Sequence, residues 1–345
     1  MNQDALLSLR DLKVHFPMPR RGLFAPPGAV HAVEGVSIDV RRGSTFGIVG
    51  ESGSGKSTTA LAVMRLVPIT AGEVRLEGQN IAGLEGDALL AMRRKMQIIF
   101  QDPYSSLNPR MRAGQIIREP MDLMNVGDPA GREAQVAELF RRVGLRPEQQ
   151  ALFPHQFSGG QRQRIGVARA LASRPELVVC DEPVSALDVA IQAQILNLLC
   201  QLQKEFSLTY LFISHDLGVV QYVCDEIAVM YLGEVVEQAD RISLFSKPLH
   251  PYTWTLLSAV PSAKTKGRAR RIGLQGDPPS PIDLPPGCRF AARCPFAEAR
   301  CHAARPALRQ IGAEGHKVAC HLVSENGTAP HQASLAQAPA DTDSR

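Results

Sequence analysis

Residues Gly50-Glu51-Ser52-Gly53-Ser54-Gly55-Lys56-Ser57 follow an apolar run, Thr45 to Val49, and lead through Thr58 into a helical pattern that reaches Leu66. A strand that passes into a helix through Gly50, Gly53 and Gly55 has the makings of a phosphate-binding loop. Without side chains at those positions the backbone folds tightly around an anion and aims several N–H groups at it, and the helix adds its positive N-terminal end. Lys56 is placed to reach the β- and γ-phosphates of a nucleotide, and Ser57 to hold Mg²⁺. A strand before the loop and a helix after it make the chain an α/β protein.

Bulk properties set few limits. With 345 residues the chain has room for one large domain and an appendage. Lys and Arg number 38 against 34 Asp and Glu, a net charge of +4, so nothing global calls for nucleic acid. No run approaches the roughly 18 apolar residues that cross a bilayer, and Met1 to Arg10 lacks a basic start followed by an apolar core. A cytoplasmic protein is expected. Its seven cysteines are then core residues, reactive thiols or metal ligands rather than disulfides.

Leu7 to Phe16 and Val30 to Val40 alternate apolar and polar residues, with a Pro/Gly/Arg-rich insertion, Pro17 to Gly28, between them. This predicts an antiparallel sheet ahead of the phosphate loop. Further strands are predicted at Glu73–Leu76, Met96–Phe100, Leu177–Cys180, Thr209–Ile213 and Ile227–Tyr231, several of them continuous apolar runs typical of a sheet covered on both faces. Between Gln101 and Pro175 the pattern turns helical, at Ile116–Met124, Arg132–Val143 and Gln161–Leu171, which predicts a helical subdomain inserted in the α/β core. From Ser262 the composition shifts to Lys, Arg, Gly and Pro, then to a cysteine-bearing segment. From Val323 to Arg345 it becomes Ala, Ser, Pro, Gln and Asp, and a disordered tail is expected.

A second constellation supports the nucleotide reading. The strand Leu177 to Cys180 ends in Asp181-Glu182, placing two carboxylates where open α/β sheets hold their ligands. Asp181 is suited to Mg²⁺, directly or through water, and Glu182 to polarising the water that attacks a γ-phosphate. Phe157-Ser158-Gly159-Gly160-Gln161-Arg162 stands just before a helix, so Ser158 and the glycine N–H groups form another helix end able to meet an anion.

On these residues the chain resembles the ATP-binding subunits of ATP-binding cassette (ABC) transporters. Gly50 to Ser57 match the family's Walker A loop, Gln101 its Q-loop, Phe157 to Gln161 its signature motif, and Leu177 to Asp181 Walker B. Glu182 matches the catalytic glutamate, Ser185-Ala186-Leu187-Asp188 the D-loop, and His215 the switch histidine. Phe157 stands where Leu is commoner, outside the Ser-Gly-Gly core. The resemblance implies a P-loop NTPase nucleotide-binding domain with a RecA-like core, an antiparallel β subdomain and a helical subdomain over about 102–174. It implies a head-to-tail pair in which each ATP lies between the phosphate loop of one subunit and the signature motif of the other, contacting Ser158, Gly159, Gly160, Gln161 and Asp188. Gln101 senses Mg²⁺ and the attacking water, His215 contacts the γ-phosphate, and Phe16 aligns with the aromatic position that stacks on adenine.

Gln101 to Arg110 and His250-Pro251-Tyr252-Thr253 resemble the dipeptide/oligopeptide importer branch, closest to its F-type ATPase subunit. That implies a peripheral location at the cytoplasmic face of the inner membrane, a second ATPase subunit, two membrane permease subunits whose coupling helix contacts Tyr104 to Met111, and indirectly a solute-binding protein. An importer of nickel, glutathione or another peptide-like solute would use a similar ATPase. Soluble cassette proteins of DNA repair usually carry a long coiled coil or zinc insertion between the phosphate loop and the signature, and the stretch from Ser57 to Phe157 holds none. Translation-associated cassette factors carry two sets of motifs, and this chain has one.

Cys288, Cys294, Cys301 and Cys320 form C-x5-C-x6-C-x18-C. Four cysteines in so short a stretch suggest metal, but the spacing lacks short C-x2-C knuckles and does not choose the element. The family resemblance implies a [4Fe–4S] cluster, with Zn²⁺ and His302 or His321 as the alternative. The expected division is a nucleotide-binding domain at 1–260, a C-terminal Cys-rich extension at 261–322 and the tail at 323–345. Cys180, Cys200 and Cys224 read as small core residues, and the basic run Lys264, Lys266, Arg268, Arg270 and Arg271 as a solvated tether, with contact to anionic lipid headgroups or the partner ATPase as the alternative.

Overall fold

The computed structural model describes residues 4–18, 28–258, 276, 279–312 and 315–332. The basic run at 264–271 and the chain beyond Gln332 lie outside the described residues. The chain gathers into two compact units, one of residues 1–14, 35–48 and 57–215, the other of 15–34, 49–56 and 216–345.

The elements of the first unit run β1 (Ala5–Pro17), β2 (Ala29–Arg41), β3 (Thr45–Val49), α1 (Lys56–Val63), β4 (Ala71–Leu76), β5 (Gln79–Asn80), α2 (Gly86–Lys95), β6 (Met96–Ile99), α3 (Ala113–Leu123), α4 (Arg132–Arg142), α5 (Gly159–Leu171), β7 (Leu177–Asp181), α6 (Val189–Phe206) and β8 (Thr209–Ser214). β1, β2, β3 and α1 contribute residues to both units. The expected antiparallel sheet has the order β2-β1-β4-β5, with Leu7 opposite Leu76. Its inward phase changes from Leu7 and Leu9 to Leu12 and Val14, all fully buried, because the register shifts between Arg10 and Lys13 and Asp11 takes a left-handed φ of +46°. A bulge of this kind turns side chains to the other face.

The apolar runs β3, β7 and β8 are buried throughout. They stand in the order β3-β8-β7-β6, and β6, β7 and β8 run parallel, with Asp181 beside Ile213. Strands buried on both faces need apolar residues on both, which is why they read as unbroken runs. α3, α4 and α5 pack through Ile116, Ile117, Met121, Val136 and Phe140. α3 begins three residues earlier than periodicity predicts, and at its start Gln115 Oε1 accepts the Arg112 N–H at 2.9 Å.

The second unit contains α7 (Leu217–Val223), β9 (Glu226–Tyr231), β10 (Glu234–Asp240), α8 (Arg241–Ser246), α9 (Pro251–Ser258), α10 (Ala299–Ala303), β11 (Arg309–Ile311) and β12 (His316–Val318). They form the strand order β11-β12-β10-β9, with each neighbouring pair antiparallel. β10 escapes sequence reading because Glu234, Glu237 and Gln238 make it look solvent-facing, yet all of it except Asp240 is buried. The Glu237 carboxylate is fully buried and accepts the N–H groups of Leu249 and His250 at 2.6 and 2.8 Å and faces His316 Nε2 at 2.7 Å. A buried carboxylate is tolerated when its lone pairs are met in this way. Since β12 pairs with β10, the segment expected as a separate extension shares a sheet with strands before residue 260.

The expected start of a disordered tail at Val323 is corrected. Val323 and Ala329 are buried against Leu249, Ile311, Val318 and Cys320, and His331 stacks on Trp254 with ring centroids 4.7 Å apart. Few apolar residues suffice here because a preformed sheet supplies the surface they cover.

Candidate nucleotide site

The phosphate loop from Gly50 to Lys56 belongs to the second unit. Gly50 has φ +152° and Gly55 φ +103°, and a Cβ at either would stand 2.2 Å from the Met230 carbonyl oxygen or 2.3 Å from that of Ala32. Only glycine lets the backbone turn so closely against its neighbours. Gly53, at φ +77°, has open space where a Cβ would be, on the loop's outer bend, and Ser52 is exposed beside it. The loop rests on two bonds in series, from Glu34 N–H to Gly233 O and from Gly233 N–H to Ser54 O, both 2.8 Å.

Lys56 is buried, and its Nζ donates to the carbonyls of Gly50 and Glu51 at 2.8 Å. Glu51 is fixed at three points. Its carbonyl meets Lys56, its N–H donates to Tyr252 Oη at 2.8 Å, and its carboxylate receives Arg293 Nη1 and Nη2 at 2.8 and 3.1 Å. Arg293 also reaches Tyr231 Oη at 3.3 Å. Nothing in the local sequence marks Arg293 as a partner of this loop.

Ser57, the next residue along the chain, belongs to the first unit. Its Oγ donates to Asp181 Oδ1 at 2.9 Å. A hydroxyl and a carboxylate oxygen side by side are the hard oxygen pair that suits Mg²⁺, and Thr58 continues the helix behind Ser57. Beside Asp181, Glu182 occupies the left-handed region at φ +46°. That conformation costs a non-glycine residue about 1 kcal/mol, and the neighbourhood enforces it: Glu182 N–H donates to Ile213 O at 3.0 Å, while Ser185 N–H and Oγ donate to Glu182 O at 3.2 and 3.1 Å.

Glu182, Gln101 and His215 come together. Gln101 Nε2 donates to Glu182 Oε2 at 3.0 Å, and His215 Nδ1 lies 3.0 Å from the same oxygen. The Glu182 side chain is largely buried, whereas His215 is exposed. The contact at Nδ1 orients the ring and leaves Nε2 as its other polar atom.

The Ser-Gly-Gly-Gln segment caps α5 through a reciprocal pair. Ser158 Oγ accepts from Gln161 N–H at 3.4 Å, and Gln161 Oε1 accepts from Ser158 N–H at 3.0 Å. A Cβ at Gly160 would meet Ile191 Cγ2 at 2.5 Å, and Asp188 caps the helix that carries Ile191 through the Ile191 N–H at 3.1 Å. The guanidinium of Arg162 lies 4.1 Å over the ring of Tyr104, otherwise exposed, which ties the segment after Gln101 to α5. Phe16 stands next to the last residue of β1 with its ring partly exposed.

Among the cysteines, Cys180 and Cys224 are buried as core residues and Cys200 is half-buried. Cys301 and Cys320 are buried, Cys288 and Cys294 half-buried, and the Cys288 N–H donates to Cys301 O at 2.7 Å. Burial pushes the Cys288 thiol up to about 11 and the Cys294 thiol up to about 12, and each also feels the neighbouring thiols. Any metal held there displaces protons.

Residues 33–185 match the family described as ABC transporter, and residues 236–301 match the one described as oligopeptide/dipeptide transporter, C-terminal region. The chain is 50% identical over 327 residues to the oligopeptide transport ATP-binding protein AppF of Bacillus subtilis, covering 94% of this chain and 99% of that protein. It is 45% identical over 324 residues to the dipeptide transport ATP-binding protein DppF of Escherichia coli, covering 94% and 96%. Among solved structures it is similar to a dimeric ATP-binding cassette in a post-hydrolysis state with ADP and Pi, at TM-score 0.61 and 28% identity over 68% of this chain and 98% of that one. The Clostridium perfringens component of a cbiONQ transporter gives TM-score 0.61 at 25% identity over 70% and 91%.

Proposed function

Since the chain belongs to the ABC transporter family, among its oligopeptide and dipeptide ATP-binding subunits, we propose that its ATPase powers the import of small peptides through a membrane permease. The observation that carries the reading is the convergence of Gln101 Nε2 and His215 Nδ1 on Glu182 Oε2. Glu182 takes the proton of the attacking water, Gln101 orients that water, and His215 meets the γ-phosphate. Such a base contributes roughly 10²–10⁴ in rate. The backbone of Gly50 to Gly55, with Lys56, cradles the phosphates. Ser57 and Asp181 would hold Mg²⁺, which would supply positive charge to the phosphates, and Phe16 would stack on adenine.

Ser158, Gly159, Gly160 and Gln161 meet the nucleotide of a second ATPase subunit, as the dimeric state named for a structural relative suggests. Their N–H groups then act in trans on developing negative charge. Tyr104 to Met111 form the contact for two permease subunits, on the cytoplasmic side of the membrane, with a solute-binding protein delivering cargo to them. No described helix is long and apolar enough to cross a membrane, which fits a peripheral subunit.

Cys288, Cys294, Cys301 and Cys320 hold a [4Fe–4S] cluster in this reading. The cluster would staple a Pro/Gly-rich segment in place. Brown protein with stoichiometric iron supports it, and zinc without iron reverses it.

The test of the whole reading is reconstitution in vesicles with the two membrane subunits and the partner ATPase. ATP-dependent uptake of a labelled peptide is expected, abolished by Glu182→Gln; full-rate hydrolysis by the solitary chain, indifferent to those components, overturns it.

A further inference from the structure

His15 on β1 and His31 and Glu34 on β2 form a cluster that the nucleotide chemistry does not use. Nε2 of His15 and Nδ1 of His31 each lie 2.8 Å from one carboxylate oxygen, Oε2 of Glu34. The two rings stand 4.3 Å apart, tilted by 57°, and the three ligand atoms all fall within 4.8 Å of one another. We propose that His15 Nε2, His31 Nδ1 and Glu34 Oε2 form a binding site for a divalent transition-metal ion of the Zn²⁺, Ni²⁺ or Co²⁺ class.

The donor set decides the class. Two imidazoles with one carboxylate suit Zn²⁺, Ni²⁺ and Co²⁺, whereas Mg²⁺ and Ca²⁺ take oxygen-only shells. Bonds of about 2.0–2.1 Å put tetrahedral ligand atoms about 3.3 Å apart, so the 2.8 Å contacts need to open by only about half an ångström. The side chains are 21%, 30% and 12% exposed, buried enough to be held and open enough for water to complete the shell. In the bound form each imidazole carries its proton on the nitrogen away from the ion. The nearby cations Arg289 and Arg305 are both paired with Glu234 at 2.6 Å.

The backbone around the cluster is pegged. His31 N–H donates to Pro281 O at 2.9 Å, Glu34 N–H to Gly233 O at 2.8 Å, and Arg305 Nη2 to Glu34 O at 3.1 Å. Ala32, between the two β2 ligands, presents the carbonyl against which Gly55 turns. An ion at this site braces the strand on which the phosphate loop rests.

The full chain, freed of metal, is titrated with Zn²⁺ by calorimetry beside His31→Ala and His15→Ala. Thiols take up zinc alike in all three, so the difference is the readout. The unsubstituted chain is expected to bind one equivalent more, or to bind that equivalent over about ten-fold more tightly than either variant. In parallel, nitrogen resonances of the His15 and His31 rings are followed during the titration of the unsubstituted chain, which requires no variant to fold. Both rings shifting on the first additions of zinc supports the site. Unmoved rings, or equal stoichiometry and affinity in all three proteins, overturn it.

Discussion

Arg293 grips Glu51 across 242 residues of chain, Nη1 to Oε2 at 2.8 Å and Nη2 to Oε1 at 3.1 Å. The arginine stands directly before Cys294, and the glutamate is the second residue of the phosphate loop. The cysteine-bearing segment therefore touches the nucleotide loop itself.

Arg293→Ala should weaken ATP binding. Loss of a charged, two-point hydrogen bond costs about 1.5–3 kcal/mol when buried, and the partial exposure of Glu51 reduces this. A three- to ten-fold rise in the dissociation constant of a fluorescent ATP analogue is expected, roughly 0.6–1.4 kcal/mol. Arg293→Lys should recover only part, because an ammonium lacks the planar fork. Unchanged affinity in Arg293→Ala would show that the loop keeps its shape unaided.

Glu182→Gln keeps the size of the side chain and removes the carboxylate proposed as the base. Phosphate release should fall by roughly 10²-fold or more, with nucleotide affinity held within a few-fold. Parental turnover in this variant would remove Glu182 from its role.

Gly55→Ala tests the turn under the loop. The added methyl would stand 2.3 Å from the Ala32 carbonyl at a φ of +103°, so the backbone has to move. Thermal unfolding should drop by several degrees, for a loss of about 1–3 kcal/mol, and nucleotide binding should be lost with it. An unaltered melting temperature contradicts the close packing described.

Acid should loosen the second unit. Burial lowers His250 from its ordinary value of 6.5 to about 3 and His331 to about 4, since both are held neutral among apolar groups. The unfolded chain binds these protons from about pH 6.5 downward while the folded one refuses them. Stability is thus full above pH 6.5 and declines as pH falls towards 4 for His331 and 3 for His250. Trp254, the single tryptophan of the chain, stacks on His331, so its fluorescence reports the change. His331→Gln should shift the fluorescence transition to lower pH; an identical acid transition in that variant would assign it to other groups.

The phosphate loop, the buried strands β3, β7 and β8 and the helices α3 to α5 were legible in the sequence because their signals are local: glycine spacing, unbroken apolar runs and a period near 3.6. Gln101, Glu182 and His215 were legible as a motif set, though their meeting on one oxygen was not. β10 was missed because Glu234 and Glu237 look exposed until His316, Arg289 and Arg305 arrive to satisfy them. The packing of Val323 to Gln332 was missed for the same reason, since its burial depends on surface made by other segments.

The sequence by itself determined the nucleotide chemistry, because a tight anion cradle and a strand ending in two carboxylates are written in consecutive residues. Only the tertiary structure decided that Arg293 braces Glu51 and that His15 and His31 share Glu34. Charges far apart along the chain carry no mark of their partners, and folding alone brings them within hydrogen-bonding distance.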